Sequence, residues 1–194
     1  MVDPRRHHLK GRGGVPGAIC AVAQNTMGYH FVIKSDIANY YVSMQHHIVL
    51  KHVQAVVYDK KVLRIITQYL TRVEVQNGHH SLIHKGIPKG CPLSPLLDAL
   101  MLKSLNDCIP NNCFYARYMD DWVILVKTRR QVRRIDKKIH RVLKDLQMKL
   151  AIHKTYIGRS AQALIFWDCK SKARAFLPWL TKRFKNRLNV CAPL

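Results

Sequence analysis

The stretch that most constrains the fold is Phe114–Val126, F-Y-A-R-Y-M-D-D-W-V-I-L-V. Two runs rich in aromatic and β-branched residues, which favour strands, flank Asp120 and Asp121. Adjacent Asp residues suit the turn between them. The pattern predicts a β-hairpin with two carboxylates at its tip. Neighbours in a regular strand point to opposite faces, and a tight turn lifts that restriction. Such a pair offers hard oxygen ligands to Mg²⁺, although a solvated Asp-Asp turn has the same sequence.

The other elements are read around this hairpin. Ala18–Met27 is expected to be a short helix and Tyr29–Asp36 a strand that delivers Asp36 at its C-terminal end. Apolar spacing from Ile48 to Leu70 predicts two helices broken near Asp59. Arg72–Lys85 reads as a hairpin centred on Asn77-Gly78, a strong two-residue turn signal. Gly and Pro in G-I-P-K-G-C-P-L-S-P-L-L, Gly86–Leu97, mark a loop that runs into a helix near Pro92–Pro95. That helix is expected to bury Leu93, Leu96, Leu97, Leu100, Met101 and Leu105. Thr128 is a candidate N-cap of a long helix with Val132, Ile135, Ile139, Val142, Leu143 and Leu146 inward and a face of Arg and Lys outward. Strands are expected at Ala151–Ile157 and Ala163–Trp167, and a helix at Trp179–Val190. Helices on one face of an antiparallel sheet make an α+β fold. The sheet would bring Asp36 beside Asp120 and Asp121.

Charge narrows the function. Across 194 residues, 33 Lys and Arg stand against 11 acids, a formal charge of +22. An excess this large points to a polyanion, nucleic acid first. The six cysteines form no C-x-x-C pair, so a zinc site is not expected, and reduced thiols in a cytoplasmic setting are. No apolar run is long enough to span a membrane. The paired histidines His7-His8, His46-His47 and His79-His80 read as polar surface residues rather than ligands. Three close carboxylates cannot all stay ionised without a neutralising cation. Two divalent ions about 4 Å apart would serve and would stabilise both oxygens of a phosphoryl displacement. Nucleotidyl transfer or nuclease chemistry follows.

Four motifs, in order, resemble those of reverse transcriptases of the group II intron-like bacterial kind. S-D-I-A-N-Y-Y, Ser35–Tyr41, resembles the first metal-binding motif, and Gly86–Leu97 resembles G-x-P-Q-G-x-x-L-S-P-L-L. Y-M-D-D at Tyr118–Asp121 resembles the Y-x-D-D box, and H-K-T at His153–Thr155 the later lysine motif. The resemblance implies a polymerase palm over residues 29–170. A basic segment, 1–28, would be residual fingers, and a basic tail, 171–194, the start of a thumb. It implies RNA-directed DNA synthesis with two Mg²⁺ ions (Mn²⁺ as a substitute), an RNA template, a DNA primer and deoxynucleoside triphosphates. Asp36, Asp120, Asp121 and the Ile37 carbonyl would ligate metal. Tyr41 would crowd the sugar 2′ position, with Tyr40 in the core. Pro88, Lys89 and Gly90 would line the nucleotide and template. Lys154 would protonate the leaving pyrophosphate. Lys89 stands where the family has Gln, and I-F-W-D near Phe166 departs from the primer-grip F-L-G. Only 35 residues precede Asp36, so the chain is expected to be a fragment, completed by a separate fingers or thumb segment. The alternative is a non-catalytic, maturase-like RNA-binding protein or an inactive remnant.

Overall fold

The computed structural model describes residues 14–88 and 90–160. In chain order it has α1 (Gly14–Asn25), β1 (Phe31–Asp36), α2 (Tyr40–Ser43), α3 (His46–Gln54), α4 (Lys60–Leu70), β2 (Val73–Gln76) and β3 (His79–Leu82). Then come α5 (Ser94–Met101), α6 (Lys103–Cys108), β4 (Phe114–Tyr118), β5 (Asp121–Val126), α7 (Arg129–Asp145) and β6 (Tyr156–Arg159). The fold is α+β. Lys89, the Ala163–Trp167 strand, the Trp179–Val190 helix, the 171–194 tail and residues 1–13 of the basic N-terminal segment lie outside the described residues.

Four strands form one antiparallel sheet in the order β4-β5-β1-β6. Its two faces separate by alternation. Ile33, Tyr115, Trp122, Ile124 and Val126 turn one way, into the main core with α2 to α7. Val32, Ala116, Val123 and Leu125 turn the other way and meet Ala18 and Val22 of α1. Most helices therefore lie on one face as expected, and α1 additionally covers part of the second. The register sets Asp36 opposite Asp121. Both share the face of Val32 and Val123, and α1 packs farther along it.

Local chemistry explains the elements. Thr128 and Gln131 form a capping box that starts α7, and Asp59 accepts backbone N–H groups at the start of α4. Asn77 and Gly78 take positive φ in the β2–β3 turn, as a type I′ turn requires. A short helix, α2, was not expected ahead of α3. The helix after Pro92 is also two helices, broken at Leu102. Leu96 is 56% exposed, and Asp98 takes an inward place instead. The phase is set at Ser94, because residues 94, 97, 98 and 101 share one stripe. Ala151–Ile157 is only partly strand: Ile152–Lys154 is a 3₁₀ turn, closed by Lys154 N–H on the Ala151 carbonyl. Among the described residues no helix is long and apolar enough to cross a membrane.

Candidate active site

The site is built where β1 ends, where the β4–β5 turn closes and where the 3₁₀ turn precedes β6. Asp36 is the last residue of β1 and is buried. Asp121 begins β5 directly across from it. Asp120 occupies the turn, preceded by Met119 in the left-handed region at φ 54°. Asp36 therefore neighbours Asp121 across the sheet and interacts with Asp120 at the turn. Burial, and next the negative charge of Asp36, raise the Asp120 carboxyl to a pKa of about 7.

Lys154 reaches the same place from the 3₁₀ turn, and its Nζ donates to Asp36 Oδ2. That hydrogen bond raises the Lys154 pKa above its usual value. Ser35 Oγ and Thr155 Oγ1, 2.6 Å apart, tie β1 to the residue after Lys154. Lys34, Asp36, Asp121, His153, Lys154 and Tyr156, with Thr155, line a cavity of about 440 Å³.

Tyr40 and Tyr41 divide as expected. Tyr40 is 2% exposed in the core, and burial, then Asp98, push its phenol well above 10. Tyr41 is half-buried, and its hydroxyl donates to Met119 Sδ at 3.4 Å, next to Asp120. Burial, then Asp98 and Asp120, raise its pKa to about 12. The Gly86 loop is fastened under it: Gly86 N–H donates to the Met44 carbonyl at 2.7 Å and Ile87 N–H to the Tyr41 carbonyl at 2.8 Å. Gly86 has φ 87°, and a Cβ there would sit 3.1 Å from backbone atoms of Tyr41 and Val42. Only glycine fits such an approach without strain. Pro88 follows, its carbonyl held by Ser94 Oγ at 2.6 Å, then Gly90 at φ 78°. Pro88, Gly90 and Tyr41 do not line the cavity, which opens on the Lys154 side of Asp36. Ile37 turns its side chain into the core.

Sequence reasoning missed a buried network beneath the turn. Arg117 Nη1 lies 3.1 and 3.0 Å from the two Asp98 oxygens, and its Nε donates to Asn106 Oδ1 at 3.1 Å. Tyr115 donates to the same Asn106 oxygen at 2.8 Å. Arg117 Nη1 also donates to the Met119 carbonyl. Two signals could have exposed the network. Arg117 is a charge inside an apolar strand, and Asp98 lies on the inward stripe of α5.

Asp36 and Asp120 are neighbouring carboxylates, the hard oxygen type of donor that a divalent cation takes. Asp36 Oδ1 is buried with no hydrogen-bond partner among the described residues, and the neighbouring Asp120 is easily protonated. A cation in place of that proton would relieve both. Among the described residues no group of three or more His, Cys, Asp or Glu side chains is placed so that it could hold a metal ion. Lys154 instead supplies the positive charge at Asp36.

Comparison with known proteins agrees on the family. The model of the family described as reverse transcriptase (RNA-dependent DNA polymerase) matches residues 6–177. Protein YkfC of Escherichia coli (strain K12) is 24% identical over 172 residues, covering 70% of this chain and 45% of that protein. The chain thus spans under half the length of that relative. Apo telomerase of Candida tropicalis, truncated from the C-terminal domain, superposes with a TM-score of 0.61 at 12% identity, over 80% of this chain and 36% of that one. Telomerase of Candida albicans, in complex with a fragment of telomeric RNA, gives 0.62 at 13% identity, over 79% and 31%.

Proposed function

The chain belongs to the reverse transcriptase family, and on that premise we propose that it contributes the catalytic palm of an RNA-directed DNA polymerase. The observation that carries this reading is the register Asp36↔Asp121 with Asp120 in the adjoining turn. Asp36, Asp120 and the Ile37 carbonyl would hold two Mg²⁺ ions, with Asp121 contributing. When bound, such ions stabilise the attacking and leaving oxygens of an in-line phosphoryl displacement.

This chain's residues would do the rest. Lys154, beside Asp36 and half-exposed to the cavity, donates its Nζ proton to the leaving pyrophosphate oxygen. Tyr41 stands against the turn, where its ring excludes a 2′-hydroxyl from the incoming sugar. Pro88, Lys89 and Gly90 line the nucleotide and template. The RNA template and DNA primer cross the open end of the sheet, on the face bearing Asp36 and Asp121. The RNA in the Candida albicans complex supports an RNA partner for this fold.

Primer extension tests this reading. The chain, alone or with a fingers segment supplied in trans, is expected to extend a DNA primer on an RNA template with Mg²⁺. Asp120→Asn abolishes extension and leaves RNA binding intact. No extension by wild-type protein in either format contradicts the proposal. The second reading is a non-catalytic RNA-binding protein; the Lys154–Asp36 pair, which already neutralises the central carboxylate, favours it.

A further inference from the structure

We propose that the outward face of α7 binds RNA separately from the cleft, and that its occupant is a folded stem of the same RNA whose strand is copied. The choice of that RNA rests on the polymerase reading. The existence of a second polyanion surface does not.

The two surfaces lie on opposite sides of the sheet. Val132, Ile135, Ile139 and Leu143 anchor α7 in the core that Ile33, Trp122 and Ile124 enter. Asp36 and Asp121 share the other face, with Val32 and Val123. A strand lying across the carboxylates therefore cannot also touch the outside of α7.

That outside is one-signed. The helix carries five Arg and three Lys, all exposed, and none of the eight makes an ion pair among the described residues. Of its acids, Asp136 faces His140 at 3.4 Å, and Asp145 is the last residue. Like charges recur four residues apart, as at Arg130, Arg134 and Lys138, an arrangement unfavourable in an isolated helix. A polyanion relieves it. The cations from Arg129 to Lys144 extend over about 22 Å, enough to meet several successive phosphates. Arginine forks suit phosphate oxygens. The capping box and the packed inner face preform the helix, so binding need not order it.

A protein partner fits less well. Protein interfaces centre on buried apolar or aromatic anchors. No large hydrophobic residue of α7 is exposed. A stem of the copied RNA, tethered through the cleft, also arrives at raised effective concentration.

The test compares two four-glutamine variants of the full chain. One replaces α7 cations: Arg130→Gln, Arg134→Gln, Lys138→Gln and Arg141→Gln. The control removes equal charge from exposed sites on α3 and α4: Lys51→Gln, Lys60→Gln, Lys61→Gln and Arg64→Gln. Glutamine keeps the helices, and circular dichroism verifies it. The probe is an RNA stem-loop of about 16 base pairs, a length that duplex-binding domains span. The α7 variant is expected to bind at least tenfold more weakly at about 0.1 M salt, with a log–log salt slope shallower by about 2–3. The control retains most of its affinity. Equal losses in both variants, or wild-type affinity and slope in the α7 variant, overturn the proposal. Stem-loop binding is read without primer or nucleotide, so a failure of primer extension alone reads on the cleft and not on α7.

Discussion

Arg117 and Asp98 form an ion pair in which neither side chain has any solvent exposure, with 3.0 Å between Nη1 and Oδ2. The same nitrogen holds the Met119 carbonyl, one residue before Asp120. Buried ion pairs seldom stabilise a fold relative to apolar packing, whereas removing one partner costs about 3–5 kcal/mol. Asp98→Ala is therefore expected to destabilise by about that amount in urea melts. Arg117→Lys retains the charge but lacks the fixed fork. It should leave the fold intact and speed amide exchange at the Met119–Asp121 turn. Unchanged exchange in a folded Arg117→Lys variant contradicts a role for Arg117 in setting the turn.

Tyr40 and Tyr41 should separate by their effects. Tyr40→Ala removes a buried core side chain and is expected to cost about 3–5 kcal/mol in thermal or urea melts. Tyr41→Ala costs less stability. In single-nucleotide incorporation it should admit ribonucleotides roughly tenfold to a hundredfold better relative to deoxynucleotides, the equivalent of about 1–3 kcal/mol of overpacking. An unchanged ratio rules out the gate.

Gly86→Ala meets both a positive φ and a 3.1 Å approach to the backbone of Tyr41 and Val42. It is expected to destabilise by about 1–3 kcal/mol. Gly78→Ala, at φ 79° with nothing within 4 Å, should cost less. Equal losses in melting experiments contradict a packed Gly86 loop.

The pH dependence of the metal-free protein follows from Asp120. Its folded pKa of about 7 lies above the unfolded value of about 4. Between those values the folded protein holds more protons than the unfolded chain. Stability from this group is full below about pH 4 and is lost as pH rises through about 7. Urea melts in chelator should show that decline, and Asp120→Asn should flatten it. A decline of the same size in the variant contradicts the assignment.

Much of this architecture was legible in the sequence because local signals agreed with the fold. The Asp-Asp hairpin, the Asn77-Gly78 turn, the Thr128 cap and the buried stripe of α7 each rest on short-range chemistry. The meeting of Asp36 with Asp121 is long-range, and it was reached through the expected antiparallel sheet, which sets the end of β1 beside the start of β5. The Arg117–Asp98–Asn106 network was not legible, because it joins residues whose pairing depends on how α5 and β4 pack. Leu96 was misplaced for the same reason: Asp98, paired with Arg117, took the inward position. Ala151–Ile157 misled because its apolar residues do not all turn inward: Ile152, in the 3₁₀ turn, is 86% exposed.

Asp36 and Asp120 are proposed to form a divalent-cation site, and a Mn²⁺ titration read by electron paramagnetic resonance tests this most directly. Wild-type protein is expected to bind Mn²⁺, and Mg²⁺ to compete for it. Asp36→Asn and Asp120→Asn should each weaken binding at least tenfold, on the order of 1.4 kcal/mol or more. Lys154→Met, which removes the ammonium from Asp36, should strengthen it. Mn²⁺ binding that survives both carboxylate substitutions unchanged, or no binding by the wild-type protein, would contradict the account.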